Sequence, residues 1–370
     1  MDELSLKCER LIRLAAEADV QGILLTLQPN FAWLTGGRSN RIDGSREAGA
    51  GAVLVTAAGR RVVIASRIER ARLVDEALGG LGFEAVEYSW TDERADPGLV
   101  HRLAAGVAGG GIGTDGSAPD AVPLDGRITR LRTPLLPAEI ERYRRLGRDL
   151  GEIIGTVART VAPGCTEMEA AGQLGGSLMR SGMRPIVLLT AADDRIARYR
   201  HPPPTATRWH NRLLLATCAE REGLVAAASR LITNGPPDAD LVRRTDASAQ
   251  VAGALLAATH DGATGARLFE AAASAYAAAG YPGEETLHHQ GGAIGYRGRD
   301  WVAHPRSEER VIAPQAFAWN PTVTGTKIEE TVILGADGSL ELITRSPNWP
   351  IIPVTVRGQV IDLPGILSRS

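Results

Sequence analysis

The sequence predicts an α/β domain with a mixed sheet followed by an α+β domain, and three features of its 370 residues lead there. The first third alternates helical and extended apolar patterns. A proline-broken stretch near residues 130–137, within LRTPLLPA, separates that third from the rest. Beyond it, helices followed by a hairpin occur twice, as a pseudo-repeat. The predicted boundaries are 1–133, 134–345 and a Pro-rich C-terminal extension, 346–370, expected to wrap the surface.

Each element follows from local chemistry. Residues 3–18 place apolar side chains at helical spacing. GILLT at 22–26, GAVLVTA at 51–57 and RVVIAS at 61–66 are rich in branched aliphatics and read as strands. A helix over 67–79 is stopped by Gly79-Gly80. Phe83–Tyr88 and GIGTDG read as further strands. Pro137 suits the first turn of a long amphipathic helix running from about Ala138 to Val161, where VAPGC ends it. Thr166 and Glu169 form a capping-box pattern that starts the next helix. Strands are expected near 185–190, 212–218 and 223–230, helices at 238–260 and 264–279, and strands at 285–296, 315–320 and 326–334.

Composition narrows the function classes. A net charge of -2 with no basic block argues against a nucleic-acid partner. Aromatics make up only 4%, too few for base-stacking platforms. No apolar run is long enough to span a bilayer, so no membrane partner is expected. The charged N-terminus lacks an apolar signal core. Cys8, Cys165 and Cys218 are isolated, which argues against a disulfide framework. A cytoplasmic location is expected. Of 41 basic residues only Lys7 and Lys327 are lysine. With abundant Ala, Gly and Pro, that bias suggests GC-rich coding, and a lysine kept against it carries information.

The segment from Leu213 to Arg230, LLLATCAEREGLVAAASR, resembles the D-x-G…G-Y-x-x-D-x-T-R hairpin of the pita-bread metallopeptidases, the family of creatinase, aminopeptidase P, prolidase and methionine aminopeptidase. Gly223 falls on the motif glycine, Leu224 on the tyrosine, Ser229 on the threonine and Arg230 on the arginine. Asn30–Gly36 resembles the N-x-x-Y-L-T-G signature of the creatinase-type N-terminal domain, and Leu136–Ile140 the segment that opens the catalytic domain. The resemblance covers nearly the whole chain. It implies an antiparallel sheet with helices on its outer face.

In this family two Asp, one His and two Glu hold two metal ions. The resemblance puts those positions at Ala216, Ala227, Gly292, Asn320 and Glu329, so only one carboxylate remains. Methyl, hydrogen and carboxamide are poor substitutes as ligands. No metal or other cofactor is therefore expected.

His201, in Arg200-His201-Pro202-Pro203, matches the family's substrate-contacting histidine, which in the metal-free relative creatinase is the acid/base. His288 matches the histidine four residues ahead of the metal ligand. Alternation along a strand would put His288, Gln290 and position 292 on one face and turn His289 away. Glu329 matches the carboxylate that creatinase uses to hold a cationic substrate. His201, His288 and Glu329 are the catalytic candidates. Arg299, Asp300, Asn320, Lys327, Gln290, Arg38 and Arg41 are the substrate-binding candidates, the last two because a neighbouring subunit's N-terminal domain closes the cleft in relatives. Arg299 could instead form a structural ion pair, and so could Lys327 with Glu329. The expectation is a metal-independent, homodimeric enzyme acting on a small amide, amidine or amino-acid-derived substrate by histidine proton transfer. C–N hydrolysis, lyase, isomerase or cyclisation chemistry would all fit. The alternatives are a non-catalytic binder and an Xaa-Pro peptidase with an atypical metal site.

Overall fold

The computed structural model describes residues 2–369. The chain forms two compact units, one up to Ala138 and one from Glu139.

In the first unit α1 (Glu3–Glu17) starts on an Asp2 cap and leads into β1 (Gly22–Leu27), α2 (Gln28–Leu34), β2 (Ala48–Thr56) and β3 (Arg61–Ser66). A π-helical turn, Arg72–Ala77, precedes β4 (Glu84–Tyr88). Then come α3 (Trp90–Ala95), α4 (Leu99–Ala108), β5 (Ile112–Thr114), β6 (Ala121–Pro123) and α5 (Asp125–Arg132). The sheet order is β4-β3-β2-β1-β5-β6. β2 runs antiparallel to β1 and β3, and the other pairs are parallel, so the sheet is mixed as expected. Leu24, Leu54, Ile64 and Ala104 are among the residues of a core between this sheet and α4. The NFAWLTG motif makes most of α2. Lys7 is fully buried and donates to Glu3 and to the Trp33 carbonyl, both at 2.6 Å.

The second unit contains most of α6 (Pro137–Thr160), then α7 (Glu167–Arg180), β7 (Arg184–Ala192), the short α8 (Arg195–Arg198), β8 (Arg212–Arg221) and β9 (Leu224–Asn234). The second half repeats the plan with α9 (Ala239–Ala258), α10 (Gly265–Ala278), α11 (Glu284–Leu287), β10 (Gly291–Ile294), β11 (Trp301–Val302), β12 (Gln315–Trp319), β13 (Glu330–Leu334) and β14 (Leu340–Leu342). The repeat is visible in detail. Thr166 caps α7 and bridges to Arg208, while Thr264 caps α10 and bridges to Arg310. A left-handed glycine precedes each cap by two residues, Gly164 at φ 88° and Gly262 at φ 79°. The Thr166–Glu169 capping box forms as the sequence predicts.

The tail supplies β15 (Ile351–Val356), β16 (Gln359–Pro364) and β17 (Ile366–Arg369). β17 joins the sheet β17-β9-β8-β7 as a parallel edge strand, so this segment is built into the sheet. The second sheet, β11-β10-β12-β13-β14, is antiparallel throughout. Two strands begin later than predicted. Residues 285–290 hold a helical turn and irregular chain before β10, and β13 starts at Glu330. Among the described residues, no helix is long and apolar enough to cross a membrane.

The β8–β9 hairpin turns at Glu222 (φ 52°) and Gly223 (φ 76°), the two left-handed positions a two-residue loop of this kind needs. Arg230 then anchors it. Its guanidinium is buried, pairs with Glu330 at 2.7 Å, and donates to the Ser229 and Thr344 carbonyls and the Ser346 hydroxyl. It also lies over the Trp349 ring. Removing one partner of a buried pair strands the other charge. Arg230→Ala is expected to lower stability by about 3–5 kcal/mol in chemical denaturation. The double change Arg230→Met with Glu330→Leu should recover most of that loss. A single variant as stable as the parent would contradict the assignment.

Candidate functional site

The hairpin and the approach to β13 bring Glu329, Lys327 and Arg299 together, with His201 and His288 next to them. The Ser229 N–H donates to the Glu329 carbonyl at 3.1 Å. Thr331 Oγ1 accepts from the Ala227 N–H and donates to its carbonyl, at 2.8 and 2.9 Å. These backbone ties fix Glu329 beside the hairpin. Its carboxylate, in a residue 5% exposed, pairs with Arg299 Nη2 at 3.3 Å and Lys327 Nζ at 3.7 Å. An unpaired carboxylate at such depth is costly, and two cations offset it. Glu330 points the opposite way, to Arg230, as strand alternation predicts.

Ala216 and Ala227 are buried on the hairpin, with Ala227 directly across from Cys218. At Gly292 a Cβ would meet the Trp301 carbonyl at 2.1 Å, and at Gly291 the Ala318 carbonyl at 2.0 Å, so these strands pack too closely for any side chain. Asn320 Oδ1 is buried without a hydrogen-bond partner. One carboxylate, already paired with two cations, plus one carboxamide does not fit a two-metal centre.

Three histidines gather next to these charges. His201 Nε2 and His288 Nε2 are 3.0 Å apart, so one ring donates and the other accepts. His289 stacks on His288 with centroids 4.6 Å apart, and its centroid is 5.5 Å from that of His201. This corrects the expectation that His289 points away. Strand alternation does not apply before Gly291, because the chain leaves α11 irregularly. Gln290 is likewise displaced from its expected face. It accepts from the Tyr276 hydroxyl at 2.7 Å and donates to the His288 carbonyl, locking irregular chain against α10.

The surroundings of all three rings favour the neutral form. Although His201 is exposed, partial desolvation lowers its pKa, helped by Lys327 and Arg299 against Glu329. Burial pushes His288 far down, with Lys327 and the other two rings adding to it. His289 falls to about 4 through burial and then Arg299 and Lys327.

The sequence reading missed several contributors. Cys218 is half-buried within reach of Arg299, Glu329 and Lys327, and desolvation raises its thiol to about 11. Its position two residues after Ala216 on one strand was the available signal. Arg200 donates to Glu284 at 2.6 Å and Thr324 at 2.7 Å, while Glu284 accepts from the Thr324 N–H and hydroxyl. This clamp ties the His201 loop to α11, which leads into His288. Asp300 lies against Gly295 and acts on Tyr143, which donates to the Gly295 carbonyl at 3.1 Å. Arg38 is exposed in the first unit, and there Arg41 donates to Gln28.

His289 gives a pH signature. An unfolded imidazole titrates near about 6.5. Between that value and about 4 the unfolded chain binds more protons than the folded one, so stability falls as pH drops through this window. In urea denaturation with chelator present, His289→Gln should flatten that part of the stability–pH curve. An unchanged slope would contradict the assignment.

The sequence profile of metallopeptidase family M24 matches residues 141–336, more than half of the chain. In three dimensions the chain is similar to the dipeptidase PepE from Mycobacterium ulcerans, at 19% identity and TM-score 0.76, covering 93% of this chain and 96% of that one. It is similar to the prolidase from Pyrococcus horikoshii OT3, at 16% identity and TM-score 0.76, covering 92% and 98%. It is also similar to the N-terminal domain of the FACT complex subunit SPT16 from Cicer arietinum, chickpea, at 12% identity and TM-score 0.66, covering 92% and 96%. At these identities the likeness is one of fold. No curated protein sequence matches.

Proposed function

This chain belongs to metallopeptidase family M24, with the pita-bread fold, and we propose that it is a metal-independent enzyme acting on a small amide, amidine or amino-acid-derived substrate. The observation that carries this reading is the exchange of donor sets. Where the resemblance places two metals there are methyls and a glycine, and beside them sit neutral imidazoles and the Arg299–Glu329–Lys327 group.

The roles follow from the chemistry. The Nε2 contact between His201 and His288 couples their tautomers. When His201 donates across it, its Nδ1 carries a lone pair and is a base. When His201 accepts, its Nδ1 carries the proton and is an acid. The ring is thus able to take a proton from water or substrate and return it to a leaving nitrogen. Arg299 and Lys327 would hold a substrate carboxylate or a developing oxyanion. The unpartnered Asn320 Oδ1 would accept a substrate N–H, and Glu329 would hold a cationic nitrogen. C–N hydrolysis uses these groups directly, and elimination, isomerisation or ring closure use the same ones.

One observation favours a second reading, a non-catalytic binder: Glu329 is neutralised from within the chain. The fold neighbours include a prolidase, which keeps an Xaa-Pro peptidase in view, but the donor set here opposes a two-metal mechanism.

Screening small metabolites for turnover, then testing His201→Ala, separates these readings. The enzyme reading expects turnover that survives chelation and falls about 10²–10⁴-fold in the variant. Binding of a compound without turnover supports the binder. Loss of turnover on chelation with recovery on manganese or cobalt supports the peptidase.

A further inference from the structure

We infer that His201, His288 and His289 form a binding site for a single late first-row transition ion, Zn2+ foremost, distinct from the two-metal arrangement of the hairpin. One potential ligand atom from each ring lies within 4.8 Å of the others. A tetrahedral zinc–imidazole site, with Zn–N near 2.0–2.1 Å, places neighbouring ligand nitrogens roughly 3.3 Å apart. His201 and His288 are at 3.0 Å, close to that edge length already. His289 has to close by no more than about 1.5 Å to complete a three-nitrogen face. Ring rotation supplies this motion. The Nδ1 atoms of His288 and His289 are both buried without a hydrogen-bond partner, so turning these rings breaks no bond there. His201 is exposed and gives an entry path and an open fourth position.

The surroundings select the ion. Three imidazoles without a carboxylate are a poor match for Mg2+, Ca2+ or Mn2+, which prefer oxygen. Lys327 and Arg299 act on the same rings, and the single charge of Glu329 does not cancel both. Only an ion whose bonds to nitrogen are strong enough to offset that repulsion remains bound, which points to Zn2+ and its neighbours in the late first-row series. A bound ion occupies the lone pairs that proton transfer needs, so it would inhibit the reaction proposed above. Only this consequence rests on that reading; the binding itself does not.

The test uses the full chain after chelator treatment. Calorimetric titration with Zn2+ is expected to give one equivalent, and His289→Ala or His201→Ala should each weaken it by at least about tenfold. His260→Ala, away from the cluster, should bind as the parent does. Titration with Co2+ should give the intense visible absorption of four-coordinate cobalt in the parent and not in the two cluster variants. His201 is an exposed loop residue, so its variant tests the site even where His289→Ala fails to fold. No saturable Zn2+ binding, binding indifferent to both cluster substitutions, or tighter binding of Mn2+ would overturn the inference. Zn2+ binding by a chain whose chelator-treated, metal-free form turns over no compound leaves the site standing and removes the enzymatic reading. Turnover without Zn2+ binding does the reverse.

Discussion

Burying a carboxylate demands a positive neighbour, and the second unit is organised around how Glu329 meets that demand. The family's answer is a pair of metal ions shared among five side chains. Here the neighbours are Arg299 and Lys327, both on the same chain and both within ion-pair distance. Fixed organic cations change what the site can do. They polarise and orient, but they do not generate a hydroxide as a metal does. Imidazoles whose surroundings favour the neutral form lie alongside.

The next residue shows the same demand met for a different purpose. Glu330 pairs with Arg230, which reaches two backbone carbonyls, Ser346 and the Trp349 ring. That pair ties the hairpin to the C-terminal segment. Adjacent glutamates thus join two separate ion-pair groups, divided only by which way each side chain leaves the backbone. Close packing supports both. α6 presents Gly147, Gly151 and Gly155 to residues 343–346, where an added methyl at Gly151 would meet the Arg345 carbonyl at 2.3 Å.

Regular structure made much of this legible from sequence. The hairpin, the capping box at Thr166 and the proline at the start of α6 all follow from local periodicity or cap chemistry. Irregular structure hid the rest. His289 and Gln290 lie where the chain passes from a short helical turn into β10, so the two-residue period used to orient them had no physical basis. The Lys327–Glu329 ion pair, by contrast, is anticipated from sequence although both residues precede β13. The clamp of Arg200, Glu284 and Thr324 spans more than a hundred residues and has no local signature. The edge strand β17 was obscured by the prolines around it. Composition gave one useful pointer, since the two lysines in an arginine-rich chain are both buried and ion-paired.

The decisive question is whether the charge balance at Glu329 is complete without a metal pair. Crystals grown with millimolar manganese, examined by anomalous diffraction, answer it most directly. The account predicts no paired anomalous peaks beside Glu329 and Asn320, with the Arg299 and Lys327 contacts to Glu329 intact. Two manganese ions bound there, with those cations displaced, would contradict it.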